Sequence, residues 1–313
     1  MKTVRAAVIG AGYMGRFHAE KLAACEGAEL AAVIDADASR ASEVGAKLGA
    51  AHGADYRAWL GKIDAACIAV PTELHERVAR ACLEAGVHVL VEKPLACTLE
   101  EADALVAIAR KKGLVLQVGH LQRFNPAFQA LAAQPGRPLF IDIERLAPFK
   151  SRGTDVDVIL DLMIHDLDLV LALAKSPIAE VSACGFRVLT EAIDIANARI
   201  EFADGCVASV SASRVSQAPV RKLRVFRHDS YVSADLQGQR LRHVRRAGGA
   251  IEEREQAFER RDELLAQTES FVRSVREESA PLVSGEQGRE ALALALQVVA
   301  LVDKRLKRHS AAQ

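Results

Sequence analysis

A glycine-rich turn near the N-terminus restricts the fold of this chain more than any other feature. The apolar run Val4–Ile9 predicts a short strand, and a helix is predicted from Met14 to Cys25. Between them Gly10, Gly12 and Gly15 form the pattern G-x-G-x-x-G. In a strand–turn–helix unit these glycines allow a tight turn, a close approach of a ligand to the backbone, and close packing of the helix on the strand. The alternative is a glycine-rich turn of another kind of α/β protein.

The acidic residue after the second predicted strand indicates which ligand this turn binds. Glu29–Ile34 predicts the strand, and Asp35 follows it, 20 residues after Gly15. At that spacing a carboxylate can hydrogen-bond the ribose of a dinucleotide whose pyrophosphate lies at the N-terminus of the first helix. Because Asp35 repels a 2′-phosphate, we expect NAD in preference to NADP. The nearby Arg40 weakens that preference.

Alternating strands and helices continue to about residue 120 and define the first domain. Strands are predicted at Asp64–Val70, Val87–Val91 and Val115–Gly119, and helices at Glu73–Ala85 and Leu99–Lys112. Repeated βα units of this kind predict a doubly wound parallel sheet. The fold class is therefore α/β, with an NAD-binding Rossmann domain expected over residues 1–122.

After Asn125 and Pro126 the pattern changes to that of an α+β domain, expected over residues 123–313. A long helix is predicted at Val156–Ala174, followed by strands at about Val181–Leu189, Asn197–Phe202, Cys206–Arg214, Leu223–Phe226 and Ser230–Asp235. Helices at about Asp262–Glu277 and Glu286–Leu306 end the chain, and the last one can pack back on the first domain. A mostly antiparallel sheet with helices on one side leaves a face open. We therefore expect substrate binding here and assembly into a homodimer or homotetramer.

Composition excludes several other classes of protein. Lys+Arg and Asp+Glu are balanced at 41 each, which does not favour nucleic acid as a partner. The densest charged stretch, Gln239–Arg261, is interpreted as a solvated hairpin and linker, with a phosphate-binding loop as the alternative. No signal peptide and no membrane-spanning stretch is evident, so we expect a cytoplasmic protein. The six cysteines form no C-x-x-C pair and are expected to be small buried side chains, not metal ligands or disulfides.

A lysine directly after a predicted buried strand is the first candidate for catalysis. Val87–Val91 is short, apolar and partly β-branched, as in a parallel strand covered on both faces. Lys93 lies between Glu92 and Pro94, and the proline restricts it to extended geometry. Open α/β sheets bind ligands at the carboxyl ends of their strands, where a lysine can act as a general acid or base. A surface lysine at a strand end is the alternative.

A polar stripe on the helix Val156–Ala174 is the second candidate. Asp161 and His165 are four residues apart, which places both side chains on one face, and Asp157 and Asp168 continue that face. Histidine suits proton transfer near neutral pH, and a neighbouring carboxylate can orient it. A solvated stripe, or a core histidine bonded to an aspartate, is the alternative. No third ligand has convincing spacing, so no metal site is expected.

These segments together resemble the glucose–fructose oxidoreductase / inositol dehydrogenase / rhizopine-catabolism (Gfo/Idh/MocA) family over essentially the whole chain. The matching segments are Gly10–Gly15, Pro71–His75, Glu92–Pro94 and the pair Asp161 and His165. The resemblance implies an NAD(P)-dependent dehydrogenase acting on CH–OH donors, in which Lys93 and His165 flank the reacting carbon and Asp161 positions the substrate. Residues expected to bind the cofactor are Gly10, Gly12, Tyr13, Met14, Gly15, Asp35, Pro71, Thr72, His75, Glu92 and Lys93.

Two further segments, 119–126 and 152–168, are similar to a nucleotide-sugar branch of that family. The resemblance implies oxidation of the 3-hydroxyl of UDP-N-acetylglucosamine and delivery of the keto product to an aminotransferase in lipid A biosynthesis. The region Gly153–Leu160 lacks the glycine pair that many family members have before Asp-x-x-x-His. Substrate contacts are expected from His120, Arg123, Asn125 and Arg214, because arginine suits a pyrophosphate.

Two other functions stay open from the sequence. One is a dehydrogenase of a free sugar, inositol or other polyol, or of a biliverdin-like substrate. The other is a dinucleotide-sensing regulator without turnover, which has no need for the complete set of Lys93, Asp161 and His165.

Overall fold

A six-stranded parallel sheet forms the first part of the chain in the computed structural model, which describes residues 3–150 and 156–310 and side chains up to residue 308. Its strands are β1 (Val4–Ile9), β2 (Ala28–Ile34), β3 (Ala51–Gly53), β4 (Ala65–Ile68), β5 (His88–Val91) and β6 (Leu116–Val118). The accompanying helices are α1 (Tyr13–Ala24), α2 (Ala38–Leu48), α3 (His75–Glu84) and α4 (Leu99–Lys112). The strand order β3-β2-β1-β4-β5-β6 reverses between β1 and β4, which confirms the predicted doubly wound α/β sheet.

An eight-stranded sheet forms the second part. Its strands are β7 (Phe140–Leu146), β8 (Ile178–Phe186), β9 (Ile195–Phe202), β10 (Val207–Ser213), β11 (Val220–Phe226), β12 (Ser230–Asp235), β13 (Arg240–Ala247) and β14 (Ala250–Ala257). The order is β14-β13-β12-β11-β7-β10-β9-β8, and only the central β7–β10 pair is parallel. The mostly antiparallel sheet is therefore confirmed. The charged stretch 239–261 forms the β13–β14 hairpin, as expected.

Helices cover one face of this second sheet. They are α5 (Pro126–Ala132), α6 (Ile164–Ala174) and the part of α8 (Gly285–Ser310) that follows residue 290. Alternate strand residues such as Ile143 and Val210 join Leu167 and Val298 in one apolar core. The opposite face carries the open surface that the sequence predicted.

The open face carries charged side chains at its centre, where Arg224 pairs with Asp142 and Glu144, and aromatic or apolar side chains towards its ends. Phe226 stacks with Phe140 and Tyr231 at ring-centroid distances of 5.8 and 4.8 Å. Phe186 and Ile195 are paired across β8 and β9, and both are more than a third exposed. The face therefore combines an aromatic cluster with exposed apolar groups.

The chain divides into two units, and the division differs from the predicted boundary. The first unit comprises residues 1–124 and 262–290, and the second comprises residues 125–261 and 291–313. The helix α7 (Glu263–Glu277) belongs to the first unit because Phe271 and Val272 are buried there beside Leu22. Residues 262–290, within the range 123–313, thus belong to the first unit.

Four elements escaped prediction, and one was described incompletely. The elements α2, β3, α5 and β7 have no counterpart among the predicted ones. In β7 the alternating pattern is obscured because the buried face contains Arg145. The predicted helix Val156–Ala174 begins instead with a π-helical turn, Ile159–Met163, before α6. Residues 151–155, which contribute to the nucleotide-sugar resemblance, lie outside the described residues.

The glycine-rich turn gives a test of the fold with a matched control. A methyl group on Gly15 would overlap the carbonyl oxygen of Gly10, whereas one on Gly12 would have no heavy atom within 4 Å. We expect Gly15→Ala to lower the free energy of unfolding by about 3 kcal/mol or more, because backbone must move to admit the methyl group. Gly12→Ala should change it by less than about 0.5 kcal/mol. Equal losses in urea unfolding would contradict this packing.

Candidate active site

The carboxyl edge of the parallel sheet carries the residues that the sequence assigned to the dinucleotide. Gly10–Gly15 follow β1, Asp35 follows β2, Pro71–His75 follow β4, and Glu92 and Lys93 follow β5. Because parallel strands end on one edge, the first unit brings these residues into one region. The edge includes the point between β1 and β4 where the strand order reverses.

The turn before α1 has the form that a pyrophosphate requires. Gly12 is the N-cap of α1 and makes no side-chain cap, so the first turn of the helix presents backbone N–H groups. Asp35 borders this turn: its Oδ2 accepts the N–H of Ala11 at 2.7 Å, and its Oδ1 accepts the N–H of Asp37 at 2.9 Å. The Nη1 of Arg40 is 3.5 Å from Oδ2 of Asp35. These residues fit a dinucleotide, with open space at Gly12 and a carboxylate beside it.

Lys93 is half-buried at the end of β5, and its peptide bond to Pro94 is cis. Its backbone N–H donates to Oε2 of Glu92 at 3.3 Å, and the Lys93 charge also attracts the Glu92 carboxylate. Gly119, just after β6, leaves room for that carboxylate, because a methyl group there would lie 3.1 Å from Oε2. Glu92 therefore lies in a close-fitting space beside the candidate catalytic lysine.

The sequence analysis missed the partner that holds Glu92. His18 of α1 is fully buried, and its Nε2 lies 2.7 Å from Oε1 of Glu92, whose side chain is 14% exposed. A signal was present in the sequence, because His18 occupies the buried face of α1 together with Gly15, Ala19 and Leu22. A polar residue in such an apolar stripe requires a buried partner.

The pKa values of His18 and Glu92 are both shifted towards the charged forms of the two side chains. Burial alone would lower the pKa of His18, but Cys67 and Glu92 beside the ring outweigh it and raise the pKa to about 10. Burial would likewise raise the pKa of Glu92, but the charges of His18 and Lys93 and the hydrogen bonds to the carboxylate hold it below its usual value. The imidazolium therefore donates to the carboxylate and fixes it.

His75 links two of the loops at this edge. Its Nδ1 lies 2.8 Å from the carbonyl oxygen of Pro94, and its Nε2 lies 3.0 Å from that of Val70. Burial lowers the pKa of His75, so the neutral ring donates to one of these two oxygens. Pro71 is exposed and Thr72 half-buried in the short 3₁₀ turn Thr72–Leu74. His75 thus ties this turn to the loop that carries Lys93.

Two predicted substrate residues are buried within the first unit. His120 follows β6 and is 1% exposed. Arg123 lies in the 3₁₀ turn Leu121–Phe124, and its Nη2 donates to the carbonyl oxygen of Leu282 at 3.3 Å. The guanidinium of Arg123 therefore supports the turn that ends the first segment of the first unit.

In the second unit, Asp161 and His165 are half-buried around the start of α6. Asp161 belongs to the π-helical turn, and His165 is the second residue of α6. Hydrogen bonds in a π-helical turn join residues i and i+5, so one turn contains slightly more than four residues. Two side chains four positions apart therefore lie on nearly the same side. Such turns occur frequently at functional sites. The structure therefore keeps the side chains of Asp161 and His165 on nearly the same side of this segment.

Asp168, the predicted continuation of this polar stripe, is 2% exposed. Asp166, two residues before Asp168, is also buried and accepts two hydrogen bonds from Arg145 of β7, both at 2.7 Å. A buried charge requires such a partner. This ion pair attaches the residue after His165 to the centre of the second sheet.

Arg214 and Asn125 are committed to bonds inside the second unit. Arg214 pairs with buried Asp194, with 3.7 Å between Nε and Oδ1, and its Nη2 donates to the carbonyl oxygens of Val156 and Ile193. Asn125 caps α5 through Oδ1, and its Nδ2 donates to the carbonyl oxygen of Leu236 at 2.8 Å. Both side chains hold backbone segments, so the structure gives them a structural role that their sequence context did not indicate.

The part of the chain that the structure describes contains no group of three or more His, Cys, Asp or Glu residues placed to hold a metal ion. All six cysteines are free, and Cys97 is the exposed one. Within the described ranges, no helix is long and apolar enough to cross a membrane.

Comparison with known families matches both units. The family described as "Oxidoreductase family, NAD-binding Rossmann fold" matches residues 4–120, and the "GFO/IDH/MocA C-terminal domain" matches residues 134–230. The chain belongs to the GFO/IDH/MocA oxidoreductase family. The resemblance inferred from its motifs is therefore confirmed.

Relatives of this family member differ in their substrates. A UDP-N-acetylglucosamine 3-dehydrogenase from Acidithiobacillus ferrooxidans is 42% identical over 97% of this chain and 99% of its own length. A solved structure of that enzyme has a TM-score of 0.92 at 41% identity, covering 97% of this chain and 99% of the other. A myo-inositol 2-dehydrogenase from Thermotoga maritima is 28% identical over 93% and 94% of the two chains.

A more distant structure shows the shared fold alone. It is a scyllo-inositol dehydrogenase from Lactobacillus casei with bound NAD(H) and scyllo-inositol, 18% identical to this chain. Its TM-score is 0.80, with 97% of this chain and 98% of the other covered.

The buried ion pair predicts how stability depends on pH. Folding raises the pKa of His18 from 6.5 to about 10. The resulting stabilisation is fully present below pH 6.5 and is lost as the pH rises through about 10. We therefore expect His18→Gln to lower the free energy of unfolding more near pH 6.5 than near pH 10. Urea unfolding at the two pH values measures this difference. The control His228→Gln removes a ring with a 91% exposed side chain, and an equal loss for His18→Gln at both pH values would contradict the ion pair.

Proposed function

We propose that the protein is an NAD-dependent dehydrogenase that oxidises the 3-hydroxyl of UDP-N-acetylglucosamine, or of a closely related nucleotide sugar, to a ketone. The observation that carries the proposal is similarity at 42% identity over 97% of the chain to an enzyme of that activity. The intact set of Lys93, Asp161 and His165 supports catalysis over cofactor sensing alone. Oxidation of an inositol is the second candidate, favoured by the relative that is 28% identical over 93% of the chain.

Lys93 is assigned the role of general base. Its Nζ takes the proton of the sugar hydroxyl, and the hydrogen on the same carbon leaves as hydride. NAD, when bound, supplies the hydride acceptor. His165 and Asp161 hold and polarise the hydroxyl, and proton transfer of this kind contributes about 10²–10⁴-fold to the rate.

NAD is proposed as the cofactor in preference to NADP. A 2′-phosphate would meet the Asp35 carboxylate, which is fixed by the backbone of Ala11 and Asp37. Arg40, 3.5 Å from Asp35, offsets part of that repulsion. The keto sugar is a substrate for transamination, so an aminotransferase that takes the 3-keto product is the proposed downstream partner.

We propose that the open face of the second sheet binds a second copy of this chain. The aromatic cluster around Phe226 and the exposed Phe186 and Ile195 favour burial against a like surface. Phe226→Glu should shift the species seen by sedimentation towards the monomer, because it places charge in the contact. A wild type that sediments as a monomer at all concentrations would contradict this.

Turnover tests the central proposal. The absorbance of the reduced cofactor should rise when the protein is mixed with NAD and UDP-N-acetylglucosamine. The rise should be smaller when NADP replaces NAD. We expect Lys93→Met and His165→Asn each to lower kcat by about 10²-fold or more, because each removes a group that acts on the hydroxyl.

Thermal unfolding serves as the control for folding, since both variants should keep the wild-type transition. Turnover with myo-inositol and none with UDP-sugars would favour the second candidate. Near-wild-type kcat in both variants would refute the catalytic assignment.

A further inference from the structure

Two of the cavities formed by the described residues of the second unit are lined by cations and lie at opposite ends of its sheet. The first, of about 730 Å³, is lined by Arg221, Lys222 and Arg260 together with the turn between β12 and β13. The second, of about 320 Å³, is lined by Arg137, Lys175 and Arg227. A volume of several hundred Å³ suits a small-molecule site. The two cavities differ in their position relative to His165 and in how their cations are used.

The first cavity lies at the end of the sheet where His165 is held. Arg145, at the carboxyl end of β7, is paired in register with Arg221 at the start of β11. Arg145 also binds Asp166, the residue after His165, and Arg221 attracts the same carboxylate. Neighbouring strands are about 5 Å apart, so the cavity wall begins one strand from the anchor of His165. The second cavity is lined by the other end of α6, residues Ala172–Lys175.

Two cations of the first cavity, Lys222 and Arg260, are available to a ligand. In the described residues, neither Lys222 nor Arg260 has an ion-pair or hydrogen-bond partner for its side chain, and Asp235 uses Oδ1 to accept the N–H groups of Gln237 and Gly238. In the second cavity Arg137 is committed to Asp204, and Arg227 donates to the carbonyl oxygen of Gly136. An excess of positive charge therefore exists in the first cavity.

A buried glutamine fixes the segment that carries Arg260. Gln239 is 6% exposed, and its Oε1 accepts the N–H of Arg261 at 3.0 Å while its Nε2 donates to the carbonyl oxygen of the same residue at 3.3 Å. The backbone of Phe258 also donates to the carbonyl oxygen of Gln239. The residues on both sides of Arg260 are thus tied to the β12–β13 turn, which holds Arg260 beside the cavity in advance of binding.

We propose that this cavity binds the diphosphate of a nucleotide-diphosphate sugar, with Lys222 and Arg260 as the phosphate ligands and Arg221 beside them. This assignment deepens the proposed function and rests on it. In such a substrate the diphosphate is attached one pyranose ring away from the 3-hydroxyl. The cavity wall at Arg221 begins one strand from Arg145, the anchor of His165, which suits that separation. Arginine and lysine both bind phosphate, arginine through its fork and lysine as a point charge.

The double variant Lys222→Gln and Arg260→Gln tests this site. Calorimetry with UDP alone should show wild-type binding and a loss of about 10-fold or more in affinity in the variant, because hydrogen bonds to charged groups are removed. The KM for UDP-N-acetylglucosamine should rise by a similar factor, with most of the loss in kcat/KM appearing in KM. The matched control is Arg137→Gln with Lys175→Gln in the second cavity, which should change neither quantity. Thermal unfolding confirms that both double variants are folded.

The outcomes separate this inference from the proposed function. UDP binding and KM unchanged in the double variant, or no UDP binding by the wild type, would overturn the inference even if turnover with the UDP-sugar is observed. A wild type that binds UDP through Lys222 and Arg260 but does not oxidise UDP-N-acetylglucosamine would support the cavity and refute the proposed substrate. An equal loss of UDP affinity in the control variant would also overturn the assignment, because nonspecific charge would then explain binding.

Discussion

Close contact between α1 and the turn after β1 is the constraint on which the cofactor half of the molecule depends. Gly15 lies against the carbonyl oxygen of Gly10 with no space for a methyl group, so the helix passes as close to the strand as backbone atoms permit. One turn further along α1, His18 reaches Glu92 at the end of β5. The same packing therefore shapes the turn that suits a pyrophosphate and fixes the carboxylate beside Lys93.

Buried charge organises the second unit in the same way. Asp166 is bound by Arg145, and Asp194 by Arg214, and each pair is almost completely removed from solvent. Breaking a buried pair leaves an uncompensated charge, which costs about 3–5 kcal/mol. The first pair attaches the start of α6, with His165, to the centre of the sheet, and Arg214 of the second pair also binds the carbonyl oxygen of Val156, shortly before the π-helical turn.

Buried arginines and cavity-lining arginines have different roles in this unit. Arg145 and Arg214 are enclosed and bonded to carboxylates, and they support backbone. Arg260 borders a cavity with no ion-pair partner among the described residues, and Lys222 is beside it. Burial and pairing, not residue type, separate a structural cation from one that can meet a phosphate.

The sequence by itself determined the α/β class, the carboxyl-edge position of Gly10–Gly15, Asp35 and Lys93, and the membership of the family. These features are local: a glycine pattern, strand periodicity and short motifs with fixed spacing. Tertiary structure alone decided that His18 pairs with Glu92 across 74 residues, that α7 belongs to the first unit, and that Arg214 and Asn125 are bonded internally. It also decided that β7 lies at the centre of its sheet, although charged residues obscure its alternation. A long-range pair has no local signature, because the two residues that meet are set by packing and not by spacing along the chain.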